Sequence, residues 1–260
     1  MNEGDHQTSD GASEDEEFSG ARPLEKQFHE RLRSVRSVTE RRSLTGLARE
    51  LGKLPAEAAR TALEVSAALA GVSLRVSVEF LRAAPGAALV LEAEEMRAWG
   101  EMGRRLAMAD VETAAGFFAA GVEELSPVPR RVRPLLFHLC ARQMTLSTSI
   151  ALDTFRRAPE LARVVRDDEL LGAIFEVALE VARRSAKHSA DFLADAPRVA
   201  SSFAGFGEAS AGELRWAAVR LAGGFAVRAG GIAADMWAVL PDATARLSAP
   251  QVLALFRHTE

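Results

Sequence analysis

Apolar residues recur every three to four positions through most of this chain. In MRAWGEMGRRLAMADVETAAGFF, residues 96–118, the side chains of Met96, Trp99, Met102, Leu106 and Ala107 fall on one stripe, the spacing of a helix with a single buried face. Asp110 then stands where a new helix would begin, with Thr113 and Ala114 in its first turn, and is the expected N-cap. Ala114, Ala115 and Gly116 are small enough to let that second helix approach a neighbour closely. Runs of Val, Ile and Thr are scarce, there is no tyrosine, and the abundant Ala, Leu, Arg and Glu are good helix formers. The pattern predicts an all-α protein.

The same phrase is written several times. Pro85 is followed by Pro159 after 74 residues, Pro197 after 38 and Pro241 after 44. Six positions before each proline is an acid, namely Glu79, Asp153, Asp191 or Asp235, and just after the acid comes Phe80, Phe155, Phe192 or Trp237. The first gap is two periods of about 37, and AAGFFAAGV around Phe117 and Phe118 fills its middle, with Gly116 for the acid and Val122 for the proline. A second series, Trp99, Phe137, Phe175 and Trp216, keeps the same step at 38, 38 and 41 residues. Two helices per unit cannot bury their own apolar face, so copies must stack and share a core. The expected architecture is an α-solenoid or superhelix of about five two-helix units of 37–44 residues, spanning about residues 55–257. Each proline is expected to close its pair, because it has no N–H and disfavours helix in the residue before it. Gly223, Gly224, Gly230 and Gly231 suggest a helix break or a tight crossing in the last unit, and APQVLALFRH at 249–258 a sealing helix.

Charge divides the N-terminal part. Residues 1–20 hold seven acids and no Lys or Arg, whereas residues 22–53 hold nine basic residues against four acids. The acidic stretch is polar and is expected to be a disordered tail over 1–21. In 22–54, Leu24, Phe28, Leu32, Val35 and Val38 form an apolar stripe with Arg31, Arg33, Arg36, Arg41 and Arg42 around it. Such a basic amphipathic segment caps a repeat array, binds a protein, or docks on a membrane surface or nucleic acid. Aromatics are nearly absent among its arginines, which disfavours nucleic acid. Residues 55–260 would then form the repeat domain. Cys140 is the only cysteine, which excludes an internal disulfide and points to the cytoplasm. No segment reaches the roughly 20 apolar residues of a membrane span, and no signal peptide is expected.

Catalytic patterns are missing. The glycine pairs belong to no GxxxxGK[ST] loop, and neither GxSxG nor HExxH occurs. His6, His29, His138, His188 and His258 are scattered; His138 and Cys140 fall on different sides of a helix, and His188 with Asp191 is too small a set for a metal. No enzyme activity, metal or cofactor is expected. The recurring acids Glu79, Asp153, Asp191 and Asp235 either line one edge as a contact surface or pair with basic residues of their own units, with Arg104 and Arg142 as candidate partners.

The succession of an aromatic, MGRRLA, and then AAGFF or SADFLADAP closing on proline resembles helical repeats in certain bacterial proteins. There the repeats precede a von Willebrand A domain, in proteins of the nitric-oxide-reductase-activation and rubisco-activation type that work with MoxR-class AAA+ ATPases. The likeness covers about residues 67–241, and the DxSxS metal signature of the von Willebrand A domain is absent. The resemblance implies a recognition module whose partner is an AAA+ ATPase or a von Willebrand A protein. The expected function is thus a non-enzymatic, cytoplasmic helical-repeat scaffold or adaptor that binds a protein, with Arg31, Arg33, Arg36, Arg41, Arg42, Asp153, Asp191 and Asp235 as candidate contacts. Membrane or nucleic-acid docking through 22–53, and small-ligand binding between helix pairs, are the alternatives.

Overall fold

The computed structural model describes residues 46–47, 49–122 and 125–259, and every regular element among them is helical. After a short helical segment ending at Leu51, the helices are α1 (Ala56–Ala70), α2 (Leu74–Val90), α3 (Ala93–Ala109), α4 (Val111–Ala119), α5 (Arg133–Met144) and α6 (Thr148–Val165). They continue with α7 (Asp168–Ala182), α8 (Ala186–Ser202), α9 (Glu208–Arg228), α10 (Gly230–Thr244) and α11 (Ala249–Thr259). The helices form two layers. The odd-numbered ones pack in succession from α1 to α11, and α2 packs on α4, α6 on α8, and α8 on α10. Between α4 and α6 the second layer is held by the Phe117–Phe155 ring contact, and the intervening stretch adds buried Val122, Leu125, Val128 and Val132.

The turns within the pairs share one design. Ser73 Oγ accepts from the Val76 N–H, Ser147 Oγ from Ile150 N–H and Ser185 Oγ from His188 N–H, each opening the second helix of its pair. Asp110 does the same for α4, accepting from Glu112 and Thr113 N–H groups at 3.1 and 3.2 Å, as its position in the sequence predicts. These caps fall 37, 37 and 38 residues apart, so the period visible in the aromatics is also the period of the chain reversals.

The prolines differ from expectation. Pro85, Pro159, Pro197 and Pro241 all sit inside helices, which run on for at least three residues past them. The one copy that lacks a proline, α4, is the one that stops early, after nine residues. Its end is set by Gly121 at φ 72°, a left-handed conformation that glycine adopts without steric cost and that turns a helix aside. An interior proline removes one helical hydrogen bond, but burial of Phe80, Ala84 and Ala87 on both sides of Pro85 holds the helix through the defect. The glycine pairs separate in the same way. Gly223 and Gly224 lie in the uninterrupted α9, whereas Gly230 and Gly231 open α10, where a Cβ would meet Val181 at 3.3 Å and His188 at 3.0 Å. Helix α11 covers α9 with Val252 and Phe256.

The core contains every aromatic of the series beginning at Phe80, and Trp99, Phe137 and Phe175 of the second series, all buried; Trp216 is partly exposed. Gly103 in α3 makes room for the Phe118 ring, since a Cβ there would lie 1.9 Å from it. Arginines tie successive odd helices together. Arg105 donates to the Ala141 carbonyl, Arg142 to Arg183 O at 2.7 Å, and Arg184 to Val227 O at 2.7 Å and Arg228 O at 2.5 Å. In each case a guanidinium meets the carbonyl end of the next helix, where the helix dipole favours positive charge. The Arg133–Glu95 pair is almost fully buried, and Arg133 also donates to the Val128 and Val90 carbonyls, anchoring the intervening stretch.

A cleft across α6 and α8

Two of the recurring acids meet. Asp153 on α6 and Asp191 on α8 line one cleft of about 310 Å³, formed where these second-layer helices pack side by side, with Phe175 of α7 also in its lining. The remaining polar lining comes from residues that the sequence pattern did not single out, Thr154, Arg157 and Glu160. Their signal was present: Asp153, Arg157 and Glu160 stand at i, i+4 and i+7, which places them on one face of α6.

Chemically the cleft is rich in acceptors. The ion pair of Asp153 is a loose contact of 4.0 Å with Arg156, both side chains being well exposed. Asp191, Glu160 and Arg157 form no ion pair among the described residues. Thr154 is 4% exposed, and its hydroxyl forms no hydrogen bond among the described residues. Pro197 and Leu193 also line the cleft, and Pro197, without an N–H, makes no helical hydrogen bond to the Leu193 carbonyl one turn earlier.

The other candidate positions lie elsewhere. Glu79 is bound to Arg82 in its own helix at 2.6 Å, and Asp235 is exposed on α10 outside the cleft. The pairing suggested for Arg104 and Arg142 does not form. Arg104 binds Glu101 one turn earlier, and Arg142 reaches the next unit's helix end, since both leave the first helix of a pair while the acids leave the second. Arg31, Arg33, Arg36, Arg41 and Arg42 lie outside the described residues.

A second cavity, of about 280 Å³, opens between α3 and α5 over Met102 and Phe137, with Glu94, Glu101 and His138 at its rim. Its carboxylates are already engaged, Glu94 by Arg97 and Glu101 by Arg104 and Arg105. The hydrogen bond from Arg104 is the chief reason the Glu101 carboxyl is held below its ordinary pKa. Burial pushes the Cys140 thiol far above the range in which a thiolate forms. Among the described residues no cluster of three or more His, Cys, Asp or Glu could hold a metal ion, and no helix is long and apolar enough to cross a membrane. Comparison with protein-family models, curated proteins and solved structures finds no match.

Proposed function

We propose that this chain is an α-helical repeat scaffold, a solenoid, that recognises another protein through its second helical layer. The observation that carries the reading is the cleft across α6 and α8, an open recess between two neighbouring second helices whose carboxylates lack close partners. Support for the solenoid comes from the order of packing, odd helix on odd helix, and from capped turns recurring at the step of the aromatics. A stack of pairs presents a long continuous surface, which suits binding of an extended partner. The resemblance over residues 67–241 makes a cytoplasmic AAA+ ATPase assembly the class of machine such an adaptor would serve.

The test is affinity purification from the source cell with the full chain, a form lacking residues 1–54, and the full chain carrying Asp153→Arg and Asp191→Arg. The scaffold reading expects one defined protein to co-purify with the first two and to be lost with the third. Recovery that needs residues 1–54 and vanishes at high salt would instead assign the function to the basic segment.

A further inference from the structure

We propose that one edge of the helical stack docks on an anionic lipid surface. It is the edge that carries the reversals within pairs, which follow one another along the stack. Arg75 pairs with Glu112 across the first two, Arg105 reaches the Ala141 carbonyl across the next, and Arg142 and Arg184 carry the row on to Arg183 O and Val227 O. With neighbouring helices about 8–10 Å apart, the five reversals form a line of roughly 40 Å. Six of the ten exposed large apolar side chains among the described residues stand on it, namely Val72, Leu74, Met108, Leu146, Val227 and Ile232, between 39% and 61% exposed. Single apolar groups scattered over a surface are ordinary, but a row of them gathered on one edge marks an interaction site.

Charge selects the partner. Over residues 69–77, 104–112, 142–149, 180–188 and 226–232 there are eight Lys and Arg against three acids. The acids are occupied: Asp110 caps α4, Glu112 holds Arg75 and Glu180 holds Arg183. Arg104 and Arg105 bind Glu101 just inside the edge. Arg142 and Arg184 donate to neutral carbonyls, and Lys187 and Arg228 enter no ion pair among the described residues, so these four positive charges stay unbalanced. The opposite edge has the reverse sign. Over residues 88–96, 163–171 and 202–210 there are seven acids against two arginines, and Arg130 and Arg131 of the α4–α5 connection are drawn to three of those acids. The whole chain carries −4, so net charge does not bring it to an anionic surface, and the polarity between the two edges must orient it. Aliphatic and thioether tips set among cations match a lipid interface, where the tips enter the acyl boundary and the cations meet phosphates. No Phe or Trp stands in these five reversals for a nucleobase to stack on.

The test is co-sedimentation of the full chain with vesicles of phosphatidylcholine and phosphatidylserine in equal parts, against vesicles of phosphatidylcholine alone. Binding should be at least tenfold tighter on the anionic vesicles. Each basic group near such a surface strengthens binding roughly fivefold, so Lys187→Glu with Arg228→Glu should weaken it at least tenfold. Met108→Ser, Leu146→Ser and Val227→Ser together should weaken it by a similar factor without changing the salt dependence. Leu89→Ser with Val239→Ser, exposed apolar positions outside these reversals, should leave binding within twofold, and circular dichroism checks that every variant is folded. Failure of the full chain to bind anionic vesicles would overturn the proposal. So would equal loss in the Leu89 and Val239 control, or unchanged binding in both edge variants, which would give any lipid contact to another part of the chain such as residues 22–45. Loss in the charge variant alone, with a single-stranded oligonucleotide bound as tightly as the vesicles, would overturn it in favour of nucleic acid. None of these failures touches protein recognition through α6 and α8, because the two surfaces share no residue.

Discussion

The two ends of the helical stack are filled by different means. From α2 to α6 the core is a chain of touching rings: Phe80 lies 5.4 Å from Trp99, Trp99 4.8 Å from Phe118, Phe117 5.3 Å from Phe155, and Phe155 6.0 Å from Phe137. From α7 to α10 the closest ring pair among the described residues is Phe192 with Trp237 at 4.7 Å, Phe203 and Phe206 being farther apart at 6.4 Å, and the space between helices is filled by alanines such as Ala178, Ala182, Ala218, Ala222 and Ala233. Rings demand holes, and α3 supplies them with Gly100 and Gly103, whose absent side chains are replaced by Val65 and Phe118. Small residues demand close helices, and α10 supplies that closeness with Gly230 against Val181. Both are ways of filling the same layer to crystal-like density. They respond to mutation with opposite signs.

The strongest way to break the ring-filled region is Trp99→Ala, which should cost about 3–5 kcal/mol in chemical unfolding because three buried rings lose their common neighbour. A loss below about 1 kcal/mol would show that the rings do not form one unit. Arg133→Met should follow, at about 3 kcal/mol, since it leaves Glu95 buried without its cation and frees the stretch between α4 and α5. The glycines give the sharpest contrast. Gly103→Ala drives a Cβ into the Phe118 ring and should destabilise by about 1–2 kcal/mol after the gain in helix propensity is subtracted. Gly224→Ala, in the alanine-filled region with nothing within 4 Å, should stabilise by about 0.5–1 kcal/mol. If both moved the same way, differential scanning calorimetry would refute the distinction between the two regions.

A smaller effect concerns pH. The Asp110 carboxyl is held below its ordinary pKa, first by the Thr113 hydroxyl and then by the Glu112 N–H that it caps. A carboxylate with a depressed folded pKa contributes stability that is complete above its unfolded value of about 3.9 and is lost as pH falls through the folded one. Asp110→Asn should therefore lower the unfolding midpoint at neutral pH and leave the curves of variant and parent closer together under acid. Equal separation at both pH values would remove Asp110 from the acid response.

Much of the fold is written in short-range pattern. The stripe through Met96, Trp99, Met102 and Leu106 is buried, Asp110 caps, and residues 249–259 close the end of α9, all read from spacings of a few residues. Prolines were misleading for a physical reason. Their local preference ends helices, but each stands in the middle of a buried stripe whose packing outweighs one lost hydrogen bond. The site was half legible. Asp153 and Asp191 announce themselves by recurrence, whereas Thr154 looks in the sequence like any helical threonine.

Helicity, the places where the pairs turn and the rings that share a face all follow from local sequence, through propensity, capping and a period of 3.6 residues. Tertiary structure alone decided which partners residues 36–44 positions apart would find. It sent Arg142 to a helix end rather than to a carboxylate and left Asp153 and Asp191 on either side of one recess. It also placed the Thr154 hydroxyl without a partner. Those outcomes depend on how one pair sits on the next, and no spacing along a single helix encodes the distance between two of them.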